Sequence, residues 1–265
     1  MNNNTFLSKE NKKNTFVNFS KNDIKNHTGT SGLKYYLIVM YLRKHLEVFG
    51  EVSFTLNKLL DECGYSTKTH NTSIYSDFKN IIKTEIIDKG FASCSEDIIK
   101  INPLRLIVLK LSPTKNIFYT DDNFVGINVA EYEKITSSNI GKANKAILLG
   151  VYLYIKQFIP SDKVIPKDCP RLAYPSKQQI KKGVGISSLT TIESAISILE
   201  ELGMIYVDRD TYIESPEEDG VYIRARNVYA LEKQHIGNDG VIQALSDLYG
   251  KSVCRRCDIF NKLTL

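Results

Sequence analysis

The stretch YPSKQQIKKGVGISSLTTIESAISILEELGMI, from Tyr174 to Ile205, decides the fold that the rest of the chain completes. Its first part, Lys177 to Lys182, predicts a short amphipathic helix that ends at Gly185, because glycine tolerates the left-handed backbone of a sharp turn. Ser188 is a suitable cap for a second helix. The apolar residues of that second helix recur at spacings of three and four, as Ile192, Ala195, Ile196, Leu199 and Leu202. The sequence therefore predicts two helices joined by a tight turn.

The flanking segments complete this unit. Before it, the run from Ala146 to Ile159 is too uniformly apolar for a surface helix and predicts a central one. After it, Met204 to Val207 predicts a strand, a turn follows at Ser215 to Gly220, and Val221 to Tyr229 predicts a second strand. Three helices followed by a β-hairpin form the winged-helix plan.

The first half of the chain repeats this order of features. Phe16-Val17 opens an extended stretch as Phe124-Val125 does later, and Tyr35 to Leu46 predicts a second apolar central helix. A short helix, Leu56 to Glu62, precedes a turn at Gly64. A longer polar stretch then leads to a helix whose buried stripe we expect to contain Ile74, Phe78 and Ile81 or Ile82, ending near Gly90. We expect Ile98 to Ile101 and Leu104 to Leu111 to pair across Asn102-Pro103 as its hairpin.

The predicted fold class is therefore α+β, helix-rich, with two tandem winged-helix domains. We place a flexible basic arm at residues 1–15, the first domain at 16–112, the second at 117–232, and a C-terminal helical extension at 233–265. In that extension, Val241 to Tyr249 predicts a short amphipathic helix that packs either on its own domain, which we favour, or on a second subunit.

The Tyr174 to Ile205 stretch also resembles the helix-turn-helix of winged-helix DNA-binding proteins of the phage and plasmid replication-initiator type and of related regulators. The likeness lies in Tyr174-Pro175-Ser176, in the turn Gly185-Ile186-Ser187, in Thr191 and in Leu199-Glu200-Glu201-Leu202-Gly203. Two differences stand beside it: Ser187 and Ser188 both occupy what is one serine position in the family, and residues 183–199 contain no Lys or Arg. The resemblance implies DNA binding and a role in replication or transcription.

Composition narrows the class of protein. The 265 residues carry a formal charge of +5, with 42% apolar and 25% charged residues, as is typical of a globular protein. The longest apolar runs fall short of the roughly 18 residues of a membrane span, and the first residues lack the apolar core of a secretory signal. We therefore expect a cytoplasmic protein without a membrane partner. Its five cysteines, an odd number without framework spacing, predict free thiols.

Motifs for catalysis or for cofactors are not found. Gly250-Lys251-Ser252 resembles the end of a phosphate loop, but Leu245 stands where the first glycine is needed. Cys254 and Cys257 form half of a zinc knuckle without a second pair, and a structural zinc site needs four ligands. The four histidines are scattered along the chain. We expect no enzyme, no metal and no cofactor.

If the second helix of each pair enters a major groove, its polar side chains face base edges and the neighbouring elements contact phosphate. For the second copy, Lys177, Lys181 and Lys182 are the candidate phosphate contacts, with Arg224 and Arg226 on one face of the returning strand. The candidate base contacts there are Thr190, Glu193, Ser194 and Ser197. In the first copy the candidates are Lys68, His70, Ser76, Lys79 and Lys83, with Tyr75 beside them. Ordinary solvated side chains are the alternative at each position.

The acidic tip of the second hairpin, Glu214 with Glu217 to Asp219, would repel a phosphate backbone. We therefore keep two functions open. One is sequence-specific binding to double-stranded DNA in plasmid or phage replication initiation or in transcription control. The other is a non-catalytic adaptor that uses its winged helices, with the acidic tip as the contact, to join proteins in a nucleoprotein complex. A second copy of the chain, and replication or transcription proteins, are further candidate partners.

Overall fold

A computed structural model describes residues 15–67, 72–120, 123–137, 144–160, 170–215, 217, 221–236, 238–250 and 253–255. The chain is of mixed α+β class. Its residues fall into two compact units, Met1–Leu153 with Gly183–Ser187, and Tyr154–Lys182 with Ser188–Leu265. The predicted domain boundaries stay a prediction. Among the described residues, no helix combines the length and the apolar composition that crossing a bilayer requires.

The first unit pairs the two predicted Phe-Val segments with each other. Strands β1 (Phe16–Ser20) and β5 (Phe124–Asn128) form an antiparallel ladder centred on the pair Asn18↔Gly126. Both strands end in a capping box, in which Ser20 and Asn128 each accept a hydrogen bond from the third residue of the next helix. Asn18 and Gly126 occupy equivalent positions in the predicted repeat, and they are paired at the centre of the ladder. A local twofold axis therefore relates the two strands.

Four helices lie between Lys21 and Glu62, and a three-stranded sheet also lies between β1 and β5 along the chain. The helices are α1 (Lys21–Asn26), α2 (Gly29–Gly32), α3 (Lys34–Lys44) and α4 (Leu56–Glu62). The strands are β2 (Glu51–Phe54), β3 (Ala92–Ser93) and β4 (Ile107–Leu111), in the sheet order β2-β4-β3. Helix α3 is buried from Lys34 to Leu42, which confirms its prediction as a central helix. Gly64, at φ 79°, forms the predicted left-handed turn after α4.

Helix α5 (Thr72–Ile81) continues into a π-helical segment, Ile82–Ile87, and packs on α3. Its buried residues are Tyr75 and Phe78, followed by Ile82 and Ile86 in the π-helical segment. The prediction was right for Phe78 and Ile82 and wrong for Ile74, which is half-buried. The stripe begins one residue later than predicted, so Tyr75 faces the core.

The predicted strand Ile98 to Ile101 was wrong. Its backbone turns instead, since the amide of Ile99 donates to Asp97 Oδ1 at 3.1 Å and the amide of Lys100 donates to the Asp97 carbonyl at 3.0 Å. An aspartate that bonds the backbone two residues on favours a turn over a ladder. The first strand of this hairpin is β3, and a loop of residues 94–106 joins it to β4.

The last elements of the first unit are α6 (Val129–Thr136) and α7 (Lys145–Lys156), whose last residues belong to the second unit. Helix α6 packs on α3. Most of α7, the predicted second central helix, is buried.

The Tyr174 to Ile205 stretch forms two helices, α8 (Lys177–Val184) and α9 (Leu189–Glu201). They belong to the second unit except for the end of α8 and the turn, Gly183–Ser187, which belong to the first. The Ser188 side chain accepts from the amide of Thr191 at 3.2 Å, which confirms the predicted cap, and Gly185 forms the predicted turn at φ 68°. Ile192, Ala195, Ile196 and Leu199 are buried as predicted, whereas Leu202 is half-buried.

Two short ladders follow α9. Strand β6 (Tyr206–Asp208) pairs with β9 (Val228–Ala230), and Ala173 bridges Tyr229 on the other side of β9. Strands β7 (Thr211–Glu214) and β8 (Tyr222–Arg224) form the outer part of the hairpin. The predicted continuous strand Val221 to Tyr229 is interrupted between Arg224 and Val228. The Ala225 amide still donates to the Thr211 carbonyl at 2.9 Å, in register with the β7–β8 ladder, and pairing resumes where β9 meets β6.

The C-terminal extension packs within the second unit. Helix α10 (Asn238–Tyr249) contributes Val241 and Leu245 to an apolar cluster with Leu172, Ile213 and Val228. Strand β10 (Val253–Arg255) pairs with β7. This agrees with the favoured prediction that the extension packs on its own domain.

The thiols in the described part of the chain differ in solvent exposure. Cys63 is fully buried, and this burial raises the pKa of its thiol, whereas Cys94 is half-exposed. Since the thiolate is the reactive form, we expect Cys63 to react with iodoacetamide at least about tenfold more slowly than Cys94. Mass spectrometry of peptides after timed labelling measures both rates. Equal rates in the folded protein would contradict this placement, and equal rates in denaturant are the control.

Candidate nucleic-acid interface

The outward face of α5 carries short polar side chains. Thr72, Ser76 and Asn80 are exposed and lie one helical turn apart, opposite the buried Tyr75 and Phe78. The Ser76 hydroxyl donates to the Thr72 carbonyl at 2.9 Å, so it retains only its acceptor capacity towards solvent. The Asn80 amide has no hydrogen-bond partner within the described part of the chain. Asn80 thus offers a free donor and a free acceptor on this face.

The two predicted lysines of α5 point to protein acceptors. Lys79 Nζ donates to the carbonyls of Ile99 and Ile101 at 2.9 and 2.6 Å. Lys83 Nζ lies 3.0 Å from Asp88 Oδ1, in an exposed ion pair. Lys79 therefore braces the loop 94–106 against α5, and the charge of Lys83 is offset by its partner. Lys68 and His70 lie outside the described residues.

A second tie holds the same loop to α4. The amide of Asn57 donates to the Pro103 carbonyl at 3.3 Å, and Tyr75 OH donates to Asn57 Oδ1 at 2.6 Å. Burial raises the pKa of Tyr75, so this hydroxyl remains a donor at neutral pH. Between α5 and the loop lies a cavity of about 350 Å³, lined by Thr72, Tyr75, Ser76, Lys79, Asn80, Ile99 and Pro103.

The π-helical segment Ile82–Ile87, which continues α5 at its C-terminal end, is anchored by a charged cluster. Glu85 Oε2 lies 2.9 Å from His27 Nε2 and 2.5 Å from Lys89 Nζ. Burial raises the pKa of Glu85, but the hydrogen bonds from Lys89 and His27 outweigh that effect and leave the pKa below its ordinary value. His27 Nδ1 also lies 3.1 Å from the Asp23 carbonyl oxygen, and the His27 ring stacks on Tyr35. Helix α5 is thus held at both ends, which fixes the direction of its outward face.

The brace formed by Lys79 is testable. We expect Lys79→Met to lower the free energy of unfolding by about 1 kcal/mol, because a charged hydrogen bond to a half-buried backbone is lost. Urea denaturation followed by circular dichroism measures the change. Lys58→Met is the matched control, since Lys58 is exposed on α4 and its ammonium has no partner among the described residues. An equal effect of both substitutions would contradict the brace.

The second candidate face lies on α9. Thr190, Ser194 and Ser197 are exposed there, in agreement with their predicted outward placement. Glu193 is half-buried, and its Oε1 lies 2.5 Å from Lys177 Nζ on α8. This pair brings together a predicted base contact and a predicted phosphate contact, and each offsets the charge of the other. The outward face of α9 is therefore polar, and the charge that Glu193 brings to it is offset by Lys177.

The remaining predicted cations lie on neighbouring elements. Lys182 is exposed and Lys181 half-buried on α8. Arg224 Nε donates to the Arg209 carbonyl at 3.0 Å, and the exposed Arg226 lines a second cavity of about 260 Å³. The two arginines do not share a strand face as predicted, because β8 ends at Arg224. Regular strand pairing is interrupted between Arg224 and Val228, and Arg226 lies in that interruption.

The acidic hairpin tip is described only in part. Glu214 ends β7 and is half-buried, and Glu217 is exposed. Glu218 and Asp219 lie outside the described residues.

Sequence reasoning did not single out Asn80. Lys79 and Lys83 were predicted as contacts because they are charged. The signal for Asn80 was its spacing of four residues from Ser76, which places both side chains on one face of the helix. No family model matches the chain, and no curated protein matches it either.

Proposed function

We propose that this chain is a non-catalytic, sequence-specific double-stranded DNA-binding protein with two tandem winged-helix domains. Its role would be in plasmid or phage replication initiation or in transcription control, in line with the resemblance of the Tyr174 to Ile205 stretch. The observation that carries the proposal is the outward face of α5, where Ser76 and the free amide of Asn80 are presented on a helix anchored at both ends.

The arrangement of elements supports the winged-helix part of the proposal. In the first unit a helix is followed by a strand, two helices and a hairpin. The strand and the hairpin form a sheet of order β2-β4-β3. From α7 onward the chain repeats this order at shorter length, with the Ala173 bridge, β9 and β6 in the places of β2, β4 and β3. In such a unit the helix before the hairpin is the one that enters a major groove. Helices α5 and α9 hold that place.

Both helices suit base contacts, whereas the candidate phosphate contacts lie on neighbouring elements. Short hydroxyl and amide side chains read base edges, whereas Lys and Arg hold phosphate. The outward faces of α5 and α9 carry the former, and Lys58, Lys181, Lys182 and Arg226 are candidate phosphate contacts on adjacent elements. This division supports duplex binding in which base contacts and phosphate contacts come from separate elements.

The test is selection of bound fragments from random duplex DNA, followed by affinity measurements at several salt concentrations. We expect one enriched sequence whose binding weakens with salt, with a log-log slope of roughly −3 if three or four phosphates are neutralised. Enrichment of no sequence above the unselected pool would overturn the proposal.

A protein-interaction adaptor is the second candidate function. It is favoured by the acidic residues Glu214 and Glu217 at the β7–β8 hairpin, which suit a basic protein surface better than phosphate. If this function holds, no duplex is enriched, and a purified replication or transcription protein forms a salt-sensitive complex that Glu214→Gln/Glu217→Gln weakens.

A further inference from the structure

We infer that Asn80 reads adenine in an A·T base pair, with the thymine methyl group of that pair against Ile99 and Pro103. This inference rests on the proposed function and assigns a base preference to the first-copy site. Its basis is the juxtaposition of a free amide on α5 with the apolar wall of the cavity between α5 and the loop 94–106.

The chemistry of the amide selects the base. A side-chain amide presents one donor and one acceptor side by side, and adenine presents N7 and its N6 amino group in the complementary order in the major groove. Asn80 is exposed on the outward face of α5, and its amide is unpaired within the ranges that the structure covers. Ser76, one turn earlier, has already donated its hydroxyl hydrogen to the backbone. Asn80 is therefore the side chain on this face that can form a two-point contact.

The apolar wall suits the other base of the pair. In the major groove thymine carries a C5 methyl group, which proteins recognise through apolar contact. Ile99 is 38% exposed, so part of its side chain is available at the cavity, and Pro103 lies beside it. A·T is the base pair that offers the amide-matching edge and a methyl group together.

The cavity is formed in advance by the ties described above. Lys79 holds the carbonyls of Ile99 and Ile101, and the Asn57 amide holds the Pro103 carbonyl. Because the loop is already attached to α4 and α5, little ordering is needed when DNA binds, which favours affinity. Lys79 is thus a positioning residue for this contact.

Phosphate recognition at the same place is the alternative, and the charges argue against it. The ammonium groups of Lys79, on α5, and of Lys83, in the π-helical segment after it, are directed at protein acceptors. A phosphate site is expected to contain a free cation or several backbone amides. The wall of Ile99 and Pro103 is also unsuited to a charged group.

The experiment uses the full chain and the duplex selected as above. Each adenine of that duplex is replaced in turn by 7-deazaadenine, which lacks the N7 acceptor, and each thymine by deoxyuridine, which lacks the methyl group. We expect one adenine at which the replacement weakens binding by the wild-type protein roughly tenfold and binding by Asn80→Ala by less than about twofold. The thymine paired with it should show a smaller loss that Ile99→Ala removes.

The controls separate the outcomes. Asn22→Ala makes the same chemical change on the exposed face of α1 and should retain the full effect of 7-deazaadenine. If Asn80→Ala weakens every sequence equally and lowers the salt slope by about 1, the residue contacts phosphate and the inference is wrong. If the wild-type protein binds a selected duplex but no adenine replacement depends on Asn80, this inference fails while the proposed function stands. If no duplex is selected, the proposed function itself fails.

Discussion

Replacing Ser76 and Asn80 together by glutamate is expected to reduce affinity for the selected duplex by at least roughly a hundredfold. The two side chains lie on the outward face of α5, one turn apart and exposed. In a major groove the new carboxylates would meet phosphate charge on both sides and would lose the hydrogen bonds that the neutral side chains make with bases. Fluorescence anisotropy with a labelled duplex at constant salt measures the loss.

The matched control carries the same charge change on α1. Asn22→Glu/Asn26→Glu also adds two negative charges at exposed positions of the first unit. We expect this variant to lose less than about tenfold, because its charges act through solvent at a distance. Thermal unfolding of both variants should match the wild type, since no buried group changes. An equal loss in both would show that net charge, and not the face of α5, governs binding.

Gly185→Ala is expected to lower the free energy of unfolding by about 3 kcal/mol, the largest effect on stability that we predict. The φ angle of Gly185 is 68°, which a residue with a Cβ adopts only at a cost. An added Cβ would also lie 2.6 Å from the backbone nitrogen of Gly29 and 2.9 Å from Thr28 Cβ. The backbone of Gly29 cannot rotate away as a flexible side chain can, so the turn must shift.

The substitution Gly90→Ala distinguishes the cost of backbone strain from the cost of steric overlap by the added Cβ. Gly90 has a similar φ of 75°, but no atom lies within 4 Å of its added Cβ. We expect a loss of about 1 kcal/mol there, from backbone strain alone. Urea denaturation of both variants measures the difference. A loss at Gly185 no larger than the loss at Gly90 would show that the Thr28–Gly29 backbone yields freely.

Local signals predicted most of the elements correctly. Ser188 caps α9, Gly64 and Gly185 form left-handed turns, and the apolar periodicity of α9 marks its buried face. Each of these features depends on residues within one or two turns of each other, so neighbouring side chains in the sequence carry the whole signal. The hairpins were predicted less well, because Asp97 accepts hydrogen bonds that fold residues 98–100 into a turn, and because regular pairing is interrupted between β8 and β9.

The candidate site depended more on contacts between distant segments. Lys79 had the exposure pattern of a phosphate contact in the sequence, yet its ammonium lies on carbonyls 20 and 22 residues further along the chain. Glu193 is paired with Lys177, 16 residues before it. No spacing rule encodes such partners, since they depend on where the loops come to lie.

The amino-acid sequence by itself determined the α+β class, the two central helices and the helix-turn-helix segments, because caps, glycine turns and apolar periodicity act over a few residues. Only the tertiary structure decided that β1 pairs with β5 and that Lys79 braces the loop beside α5. It also decided that the Asn80 amide, at the cavity, has no partner in the part of the chain that the structure describes. The physical reason is that a polar group bonds to the partner that folding brings within about 3 Å, and residues far apart in the chain supply that partner.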